Sequence, residues 1–445
     1  LTPTFTITPT PSNTPGLVAT FTYYDNTNFI DAPDNILSLL ASPMLAYLNT
    51  NNRDTVGDAR TPQPGNDVEV LYYVSPTAPN GRIPILQFEA STGTDVFISR
   101  NGSSIAYMRP STNPAVSGLY LVDLEIGITG RILPLDTLTQ RGIYSEPVWS
   151  PDGEQLAVVL STGYDLDIFT VRHDGTNPTN ITNHGSYDFF PSWSPDGQYL
   201  LFVSDRLRCP SWIPGEPGTC DGSTDTPTGG NVFVMEVATR QVRQVSDVWV
   251  SEPPRWLNPR QVVYAAGDPL FGDPERSLWI TDIVSGDSRQ LLNGTDPLKL
   301  AESWSPTGQQ VIYQAAGSTS TEIVLAGVGG DEIGRIRDLI FTRYGMSAAW
   351  SPDGTRIAIG GIGSDCPYGV IVYDSNLNNI ASGSPPPSMC EPAFSPDGRW
   401  ISFTGVNPNI DGRMDVYIAN SNGFGASNIT GALRGNIHLV GWIGG

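Results

Sequence analysis

The chain has 445 residues, 39% of them hydrophobic, with 24 Lys and Arg against 45 Asp and Glu and a formal net charge of −21 at pH 7. This acidic balance disfavours nucleic acid or an anionic membrane as a partner, because both need basic residues that neutralise phosphate. No run of about 18 apolar residues occurs, so the sequence predicts no transmembrane helix.

Residues 1–16 form a Thr/Pro-rich tract in which threonine occupies every even position from 2 to 10. This period of two is typical of a strand. We predict an extended arm that docks along a neighbouring copy of the chain by strand addition. The predicted contact residues are Thr4, Phe5, Thr6, Ile7 and Thr8. The alternative is a flexible linker or a glycosylated stalk.

Residues 17–67 are predicted to be an irregular segment with one strand at 17–24 and one short helix at 33–49. Asp34 suits the N-cap of that helix, and Ile36, Leu40 and Leu48 belong to an apolar stripe with helical spacing. Residues 50–67 are predicted to be a polar loop.

From residue 68 to residue 445 the pattern is one of strands, and five segments repeat nearly the same sequence motif. They are PVWSPDGEQLAVV at 147–159, PSWSPDGQYLLFV at 191–203, SWSPTGQQVIYQ at 303–314, AAWSPDGTRIAIG at 348–360 and PAFSPDGRWISFT at 392–404. Each is an apolar strand, a tight turn and a second strand, a unit that buries its faces only by stacking on neighbours. We name the four strands of a repeat a, b, c and d. The repeated motif spans strands a and b.

Seven such repeats can be counted from residue 95 onward, and NIHLVGWI at 436–443 is one more strand a. The simplest closure joins this strand to strands at 68–74 and 83–88 in an eighth blade, with 17–24 as its strand b. The sequence therefore predicts an all-β fold, a single β-propeller of eight four-stranded blades, with seven blades as the alternative.

The residues of the repeated motif have a physical explanation. In Pro-Asp-Gly, Pro presets φ, Asp caps the turn and Gly accepts a positive φ, so the four aspartates are structural. They are Asp152, Asp196, Asp353 and Asp397. The aromatic residue before each turn is predicted to pack between blades. These residues are Trp149, Trp193, Trp256, Trp304, Trp350, Phe394 and Trp442.

The W-S-P-D-G-x-x-[LI]-[AL]-[FV] signature, followed by a strand such as DIFTVRHDG, resembles the repeat of TolB-type β-propellers. It also resembles the propeller domains of prolyl-oligopeptidase-like peptidases. The resemblance covers roughly residues 68–443 and implies six to eight blades. It implies no activity, because a fold does not fix a function.

Catalytic motifs are missing from the sequence: neither G-x-S-x-G nor H-E-x-x-H occurs. The three histidines, His173, His184 and His438, have no Ser or Cys at a suggestive spacing. We therefore predict a protein that is not an enzyme, with a hydrolase-like site in the channel as the alternative.

Acidic residues recur just before strand a, at Glu146, Asp188, Glu252, Glu302 and Glu391. They are predicted to ring one mouth of the channel, where they suit a cation, a peptide amino terminus or a basic partner segment. The alternative is a solvated acidic rim. Asn407, Asn409 and Asp411 resemble the front of a calcium loop without its closing Glu, and an ordinary polar turn explains them as well. No other metal or cofactor is predicted.

Four cysteines and no C-x-x-C motif favour two disulfides, Cys209–Cys220 and Cys366–Cys390, in an oxidising compartment. The main functional hypothesis is an extracellular or cell-surface subunit that self-assembles through its arm as a homo-oligomer or fibre, with the Thr-rich arm a candidate for glycosylation. The alternative is a TolB-like module, periplasmic or tethered to the surface, that binds a protein at the acidic mouth.

Overall fold

The computed structural model describes the chain over residues 4–6, 20–22, 36–50, 68–89, 95–109, 113, 117–134, 145–161, 163–220, 228–267, 277–290, 298–316, 321–337, 339, 345–363, 366–381, 387–406, 413–433 and 435–445. Two compact units make up the chain. Unit 1 comprises Leu1–Thr27 and Ser91–Gln290, and unit 2 comprises Asn28–Ala90 and Leu291–Gly445.

The N-terminal part contains five strands and one short helix. In chain order they are β1 Thr4–Thr6, β2 Thr20–Thr22, α1 Ile36–Leu39, β3 Met44–Thr50, β4 Val68–Val74 and β5 Ile83–Glu89.

Sixteen strands of unit 1 follow. They are β6 Asp95–Ile98, β7 Ser104–Arg109, β8 Gly118–Asp123, β9 Ile128–Pro134, β10 Val148–Trp149, β11 Gln155–Ser161, β12 Leu166–Arg172, β13 Thr179–Asn180, β14 Asp188–Trp193, β15 Tyr199–Ser204, β16 Asn231–Glu236, β17 Val242–Gln244, β18 Arg255–Trp256, β19 Gln261–Ala266, β20 Ser277–Asp282 and β21 Ser288–Gln290.

The remaining strands belong to unit 2. They are β22 Leu298–Trp304, β23 Gln310–Ala316, β24 Thr321–Gly327, β25 Glu332–Ile336, β26 Met346–Trp350, β27 Arg356–Gly361, β28 Val372–Asp374, β29 Asn379–Ala381, β30 Cys390–Phe394, β31 Trp400–Val406, β32 Met414–Asn420, β33 Ser427–Asn428 and β34 Asn436–Ile443.

Within the described residues these strands form eight four-stranded antiparallel blades, four in each unit. Blades 1 to 7 take β6 to β33 four at a time in chain order, and blade 8 has the order β34-β3-β4-β5. Blades 6 and 7 also share one parallel bridge, from Gly361 to Cys390. The predicted all-β propeller fold is confirmed, and the count favours eight blades.

Blade 8 closes with the C-terminal strand as predicted, but its strand b differs from the prediction. β3 fills that place, pairing Leu45 with Trp442 on β34 and with Val74 on β4. The predicted helix at 33–49 is therefore wrong beyond α1, and the blades begin at Met44 rather than at residue 68. Residues 44–49 are all buried, so they form a continuous apolar run that periodicity cannot distinguish from a helix. Pro43 was the overlooked signal, because proline disfavours helix at the preceding residue.

The arm contributes a short strand, and the strand predicted at 17–24 shortens to β2. β1 pairs antiparallel with β2 of the same chain, with Phe5 opposite Phe21. Thr4, Phe5 and Thr6 lie in β1, whereas Ile7 and Thr8 lie outside the described residues. Strand pairing of the arm therefore needs no second subunit.

The turn between strands a and b is held by its serine as well as by its aspartate. In blade 3, Ser194 Oγ donates to Asp196 Oδ1 (2.6 Å) and accepts from Tyr199 N (2.9 Å). Asp196 Oδ1 also accepts from Gln198 N (3.1 Å), and Gly197 has a φ of 70°. The same serine bonds recur at Ser150, Ser351 and Ser395. These carboxylates form hydrogen bonds within the turn, so their role is structural, as the turn chemistry predicts.

Five of the tryptophans at this position of strand a reach back to the preceding blade. The indole N–H of each donates to a carbonyl on strand a of that blade, which adds a directional bond to the apolar contact. The bonds are Trp149 to Phe97 (3.0 Å), Trp193 to Val148 (3.2 Å), Trp256 to Ser192 (3.0 Å), Trp350 to Ser303 (3.2 Å) and Trp442 to Ala393 (3.0 Å). Trp304 differs, because its buried Nε1 has no hydrogen-bond partner among the described residues. Trp304 on β22 and Phe394 on β30 are half-buried, and Phe394 packs against the core that contains strands of blades 6 and 7.

Candidate functional site

Three loops of unit 1 come together at the end of blades 2 and 3 opposite the a–b turns. They are the b–c loop of blade 2 (163–165), the connection between the blades (181–187) and the first part of the b–c loop of blade 3 (205–220). Tyr187 forms a parallel bridge with Leu166, its carbonyl accepts from Asp205 N (3.3 Å), and Trp212 N donates to Gly185 O (2.7 Å). We call this surface the blade 2–3 loop face.

Both predicted disulfides are present. Cys209–Cys220 pins the blade 3 loop, and Cys366–Cys390 joins the b–c loop of blade 6 to the first residue of β30. Cys209 is buried, and its carbonyl accepts a hydrogen bond from Ser186 Oγ (2.9 Å). The loop that completes the face is therefore tied both covalently and by hydrogen bonds.

Asp167, at the start of β12, is the most heavily bonded carboxyl of the face. Its Oδ2 accepts from Asn180 Nδ2 (2.7 Å) and its Oδ1 from Thr182 Oγ1 (3.0 Å). His184 N also donates to Oδ1 (2.9 Å). Burial, and after it the charge of Asp188, nevertheless raises the pKa of Asp167 to about 7.

Asp165 lies two residues earlier, at the end of the b–c loop of blade 2 and directly before β12. It is only 3% exposed. Burial, followed by the neighbouring Asp167, raises the pKa of Asp165 to about 8. The two carboxyls therefore retain protons near neutral pH.

Asp188 was predicted to lie on an acidic mouth, but the structure places it in the interior. It is fully buried, and its two oxygens accept from the same Arg206 nitrogen (2.9 and 2.8 Å). The guanidinium also lies over the rings of Phe202 and Phe233, 5.3 and 4.8 Å from their centroids. Asp188 is thus neutralised by an internal cation, because a charge this deeply buried needs a partner.

Asp205 joins the blade 3 loop to the rest of the face. Its two carboxyl oxygens accept from Tyr187 N (2.9 Å) and from Trp212 Nε1 (2.9 Å), and the rings of these two residues stack at 4.9 Å. Burial raises the pKa of Asp205 to about 6, against the lowering effect of these hydrogen bonds. Glu216 accepts from Ser211 Oγ (2.7 Å) in the same loop.

His184 and Ser186 form a contact that the sequence analysis did not anticipate. Ser186 Oγ lies 2.9 Å from His184 Nδ1, yet it is fully buried and also bonds to the carbonyls of Cys209 and Pro210. Burial, and then the charge of Arg206, lowers the pKa of His184, so the imidazole is neutral at pH 7. A buried hydroxyl with these partners is suited to holding the loop rather than to attacking a substrate.

The other two histidines lie elsewhere. His173 Nδ1 contacts the buried Asp123 Oδ2 of blade 1, at the end of the blades that carries the c–d turns. His438 is on β34, opposite Leu48.

Of the other predicted mouth residues, Glu146 and Glu252 lie on connections before strand a, whereas Glu302 and Glu391 lie within strand a, in β22 and β30. Glu146 and Glu252 belong to unit 1, Glu302 and Glu391 to unit 2. Glu391 has a φ of 50°, and its Oε1 accepts from Gly363 N (3.4 Å). Glu146 and Glu391 are exposed, whereas Glu252 and Glu302 are half-buried. A ring formed by these residues remains a prediction.

Two exposed apolar side chains border the loop face. Tyr164 precedes Asp165 and is 42% exposed, and Leu207 follows Arg206 and is 55% exposed. Beside Leu207, the guanidinium of Arg208 lies 4.0 Å from the ring centroid of Trp249. The face therefore combines recessed carboxyls with apolar contact surface.

The calcium-like residues Asn407, Asn409 and Asp411 lie outside the described residues. Among the residues that are described, no group of three or more His, Cys, Asp or Glu is placed to hold a metal ion. In that same part of the chain, no helix has the length and apolar character needed to cross a membrane.

The sequence analysis missed Asp165, Asp167 and Asp205. The available signal was the D-x-D pair at the start of a strand c, which is polar where buried strands are normally apolar. That pair becomes a cluster only when the distant loop 205–220 folds over it, and sequence spacing does not reveal this contact.

Fold and loop face together define the chain as a β-propeller with a disulfide-pinned acidic loop surface at one end of blades 2 and 3. Comparison with known families narrows this class, because residues 94–212 match the TolB beta propeller domain. The predicted resemblance to TolB-type propellers is thereby confirmed, and the matching segment contains Asp165, Asp167, Asp188 and Asp205.

Individual relatives agree with this family match. A Protein TolB homolog from Chlorobium luteolum is 32% identical over 142 residues, which is 31% of this chain and 28% of the relative. A second, from Chlorobium chlorochromatii, is 26% identical over 229 residues, 52% of this chain and 41% of the relative. The match thus spans less than half the length of either relative.

A solved structure described as the eukaryotic initiation factor superposes with a TM-score of 0.52 at 12% identity, covering 89% of this chain and 97% of that one. At this identity the similarity concerns the fold alone.

Proposed function

We propose that this protein is a non-enzymatic, TolB-like binding propeller that works outside the cytoplasm and holds a cationic segment of a partner protein at the blade 2–3 loop face. The observation that carries the proposal is the excess of carboxyl groups over cationic groups at that face. Five carboxyls lie there against two guanidinium groups: that of Arg206, which is bound to Asp188, and that of Arg208, which lies over the ring of Trp249. The carboxyls are those of Asp165, Asp167, Asp188, Asp205 and Glu216.

A cationic segment fits this face for two reasons. A cation near carboxyls that burial has already desolvated interacts with them more strongly than in water, because the local dielectric is low. Such a cation also favours release of the protons that Asp165 and Asp167 hold, because an opposite charge lowers the pKa of a carboxyl. Tyr164 and Leu207 supply the apolar contact on which interface energy usually depends. The net charge of −21 adds long-range attraction for a basic partner.

Location outside the cytoplasm is supported by the two disulfides, since cytosolic thiols are kept reduced.

Binding to a labelled peptide with alternating Arg and aromatic residues tests the proposal, with a peptide carrying Glu in place of each Arg as the matched probe. We expect fluorescence anisotropy to detect the cationic peptide only, with affinity falling as ionic strength rises from about 0.01 to 0.15 M. The double substitution Tyr164→Ala and Leu207→Ala is expected to weaken binding by about tenfold or more, because both residues lie beside the carboxyls.

Val284→Ala is the control for these substitutions. Val284 is 61% exposed in the same unit but lies in the c–d turn of blade 4, at the other end of the blades. Equal losses in the control and the double variant, or binding of the Glu peptide, would contradict the proposal.

Self-assembly through the arm stays a separate prediction. Light scattering of the chain with and without residues 1–16 tests this prediction. Large assemblies formed only by the full chain would support it, and identical particle sizes would contradict it.

A further inference from the structure

Blades 2 and 7 build the same polar motif between strands c and d. In blade 2, Asp167 accepts from Asn180 Nδ2 (2.7 Å) and Thr182 Oγ1 (3.0 Å). In blade 7, Asp415 accepts from Asn428 Nδ2 (2.8 Å) and Thr430 Oγ1 (2.9 Å). Residues 165–182 and 413–430 align without a gap, so each position in one blade has a direct counterpart in the other.

One position of this motif differs in charge. In blade 7 the residue two before the aspartate is Arg413, whose Nε and Nη2 donate to Asp415 Oδ1 (3.0 and 2.6 Å). The same guanidinium donates to the carbonyls of Thr430 (2.9 Å) and Leu433 (2.6 Å). In blade 2 the counterpart of Arg413 is Asp165. Arg413 is 5% exposed and Asp165 3%, so both positions are interior.

Charge compensation in the two blades must therefore differ. Asp415 has a permanent cation beside it, whereas Asp167 has a second carboxyl. The described groups that act on this pair include the amide of His184 from the connection between the blades, Asp188 from β14 and Glu216 from the blade 3 loop. Asp205 and Arg206, also from the blade 3 loop, act on Asp188. The guanidinium of Arg206 is bound to Asp188, and the imidazole of His184 is neutral at pH 7.

We propose that Asp165 and Asp167 form a proton-operated switch in the loop face, in which bound protons take the place that the Arg413 guanidinium has in blade 7. With protons bound, the pair is compatible with Asp188 and Asp205 around it. When the protons leave, like charges meet in a buried cluster, and the loops at 163–165 and 205–220 are pushed apart. Loss of the protons also makes the face more attractive to a cationic segment, a consequence that rests on the proposed function.

The direction of the pH dependence follows from linkage. An unfolded chain loses these protons near pH 3.8, whereas the folded chain holds them until the pKa values of about 7 and 8. Between those limits unfolding releases protons, so raising the pH favours unfolding. Each retained proton changes the folding equilibrium about tenfold per pH unit. This contribution is fully present below the unfolded pKa and is lost as the pH rises through the folded values.

Thermal unfolding between pH 5.5 and pH 9, about the window these pKa values define, tests the switch without any partner. We expect the wild-type Tm to fall across this range. Asp165→Arg, which copies the charge arrangement of blade 7, is expected to flatten that fall and to be the more stable protein at pH 9. Asp165→Asn is expected to flatten it as well, since a neutral amide has no proton to lose.

Asp353→Asn serves as the control. The Ser351 hydroxyl, followed by the amide of Thr355, holds the pKa of Asp353 below its ordinary value, so this carboxylate is ionised throughout the range. Its replacement is expected to shift Tm by the same amount at every pH. Parallel Tm curves for wild type and both Asp165 variants would overturn the switch.

If neither Asp165 variant folds, the wild-type protein decides the question. Carboxyl ¹³C resonances of labelled aspartate include two groups that titrate between about pH 6.5 and 8.5 if the switch exists. Titration of every aspartate near pH 4 overturns it. Peptide binding is a separate readout: a switch without peptide binding refutes only the proposed function, and binding without a pH-dependent Tm refutes only the switch.

Discussion

Asp165 and Arg413 occupy the same position of one repeated motif, and this single residue decides how a buried aspartate is neutralised. A guanidinium compensates Asp415 at every physiological pH, whereas Asp167 depends on protons. Repeats with nearly the same backbone thus differ in chemistry at one site. Such differences are informative because the rest of the motif acts as an internal control.

The inter-blade tryptophans allow a prediction at the level of one atom. Trp193→Phe keeps one aromatic ring but removes the five-membered ring of the indole with its Nε1 donor to Val148 O. We expect a loss of about 1–2 kcal/mol in unfolding free energy, from the lost hydrogen bond and the lost apolar contact. Trp193→Ala, which also leaves a cavity, is expected to cost about 3–5 kcal/mol. Denaturant titration measures both.

Phe394 already stands at the equivalent position of blade 7, which indicates that a phenyl ring fits there. Equal costs for Trp193→Phe and Trp193→Ala would show that the indole hydrogen bond, and not the packing of the ring, dominates this contact.

At the level of elements, local turn chemistry predicted the strands well. The motif Trp-Ser-Pro-Asp-Gly predicts an apolar strand, a turn and a second strand within about ten residues, so no distant contact is needed to locate them. Residues 33–49 were harder, because Met44 to Asn49 are buried in the middle of blade 8 by strands from both ends of the chain. Pro43 marks where the helix ends, and the closure of that blade is what makes the following residues a strand.

Blade 8 gives a prediction about β34. Removing residues 436–445 takes strand a away from Leu45 and Tyr47, which are fully buried in the intact blade. The exposed edge and core are expected to lower Tm strongly and to cause aggregation. Trp442→Phe, which keeps the strand but removes the bond to Ala393 O and one ring of the indole, is expected to cost about 1–2 kcal/mol.

Calorimetry and size-exclusion chromatography provide the measurements for this strand. A shortened chain that stays monodisperse with an unchanged Tm would show that β34 is dispensable.

For the whole molecule, the sequence was sufficient for the architecture but not for the site. The repeated motif predicted the blades of the propeller, and the cysteine positions predicted both disulfides. Five acidic residues were predicted to form a site because of their place before strand a. Only one of them, Asp188, belongs to the buried carboxyls of the blade 2–3 loop face, and it is paired with Arg206. The remaining carboxyls are brought together by an irregular loop, and the contacts of such loops leave no periodic trace in a sequence.

Hydrogen exchange with and without the Arg-aromatic peptide tests the central claim, that the blade 2–3 loop face is the binding surface. We expect binding to slow exchange in residues 163–167, 184–188 and 205–220, and we expect no change at the c–d turns around His173 and Val284. Protection at those turns with an unchanged loop face would contradict the account.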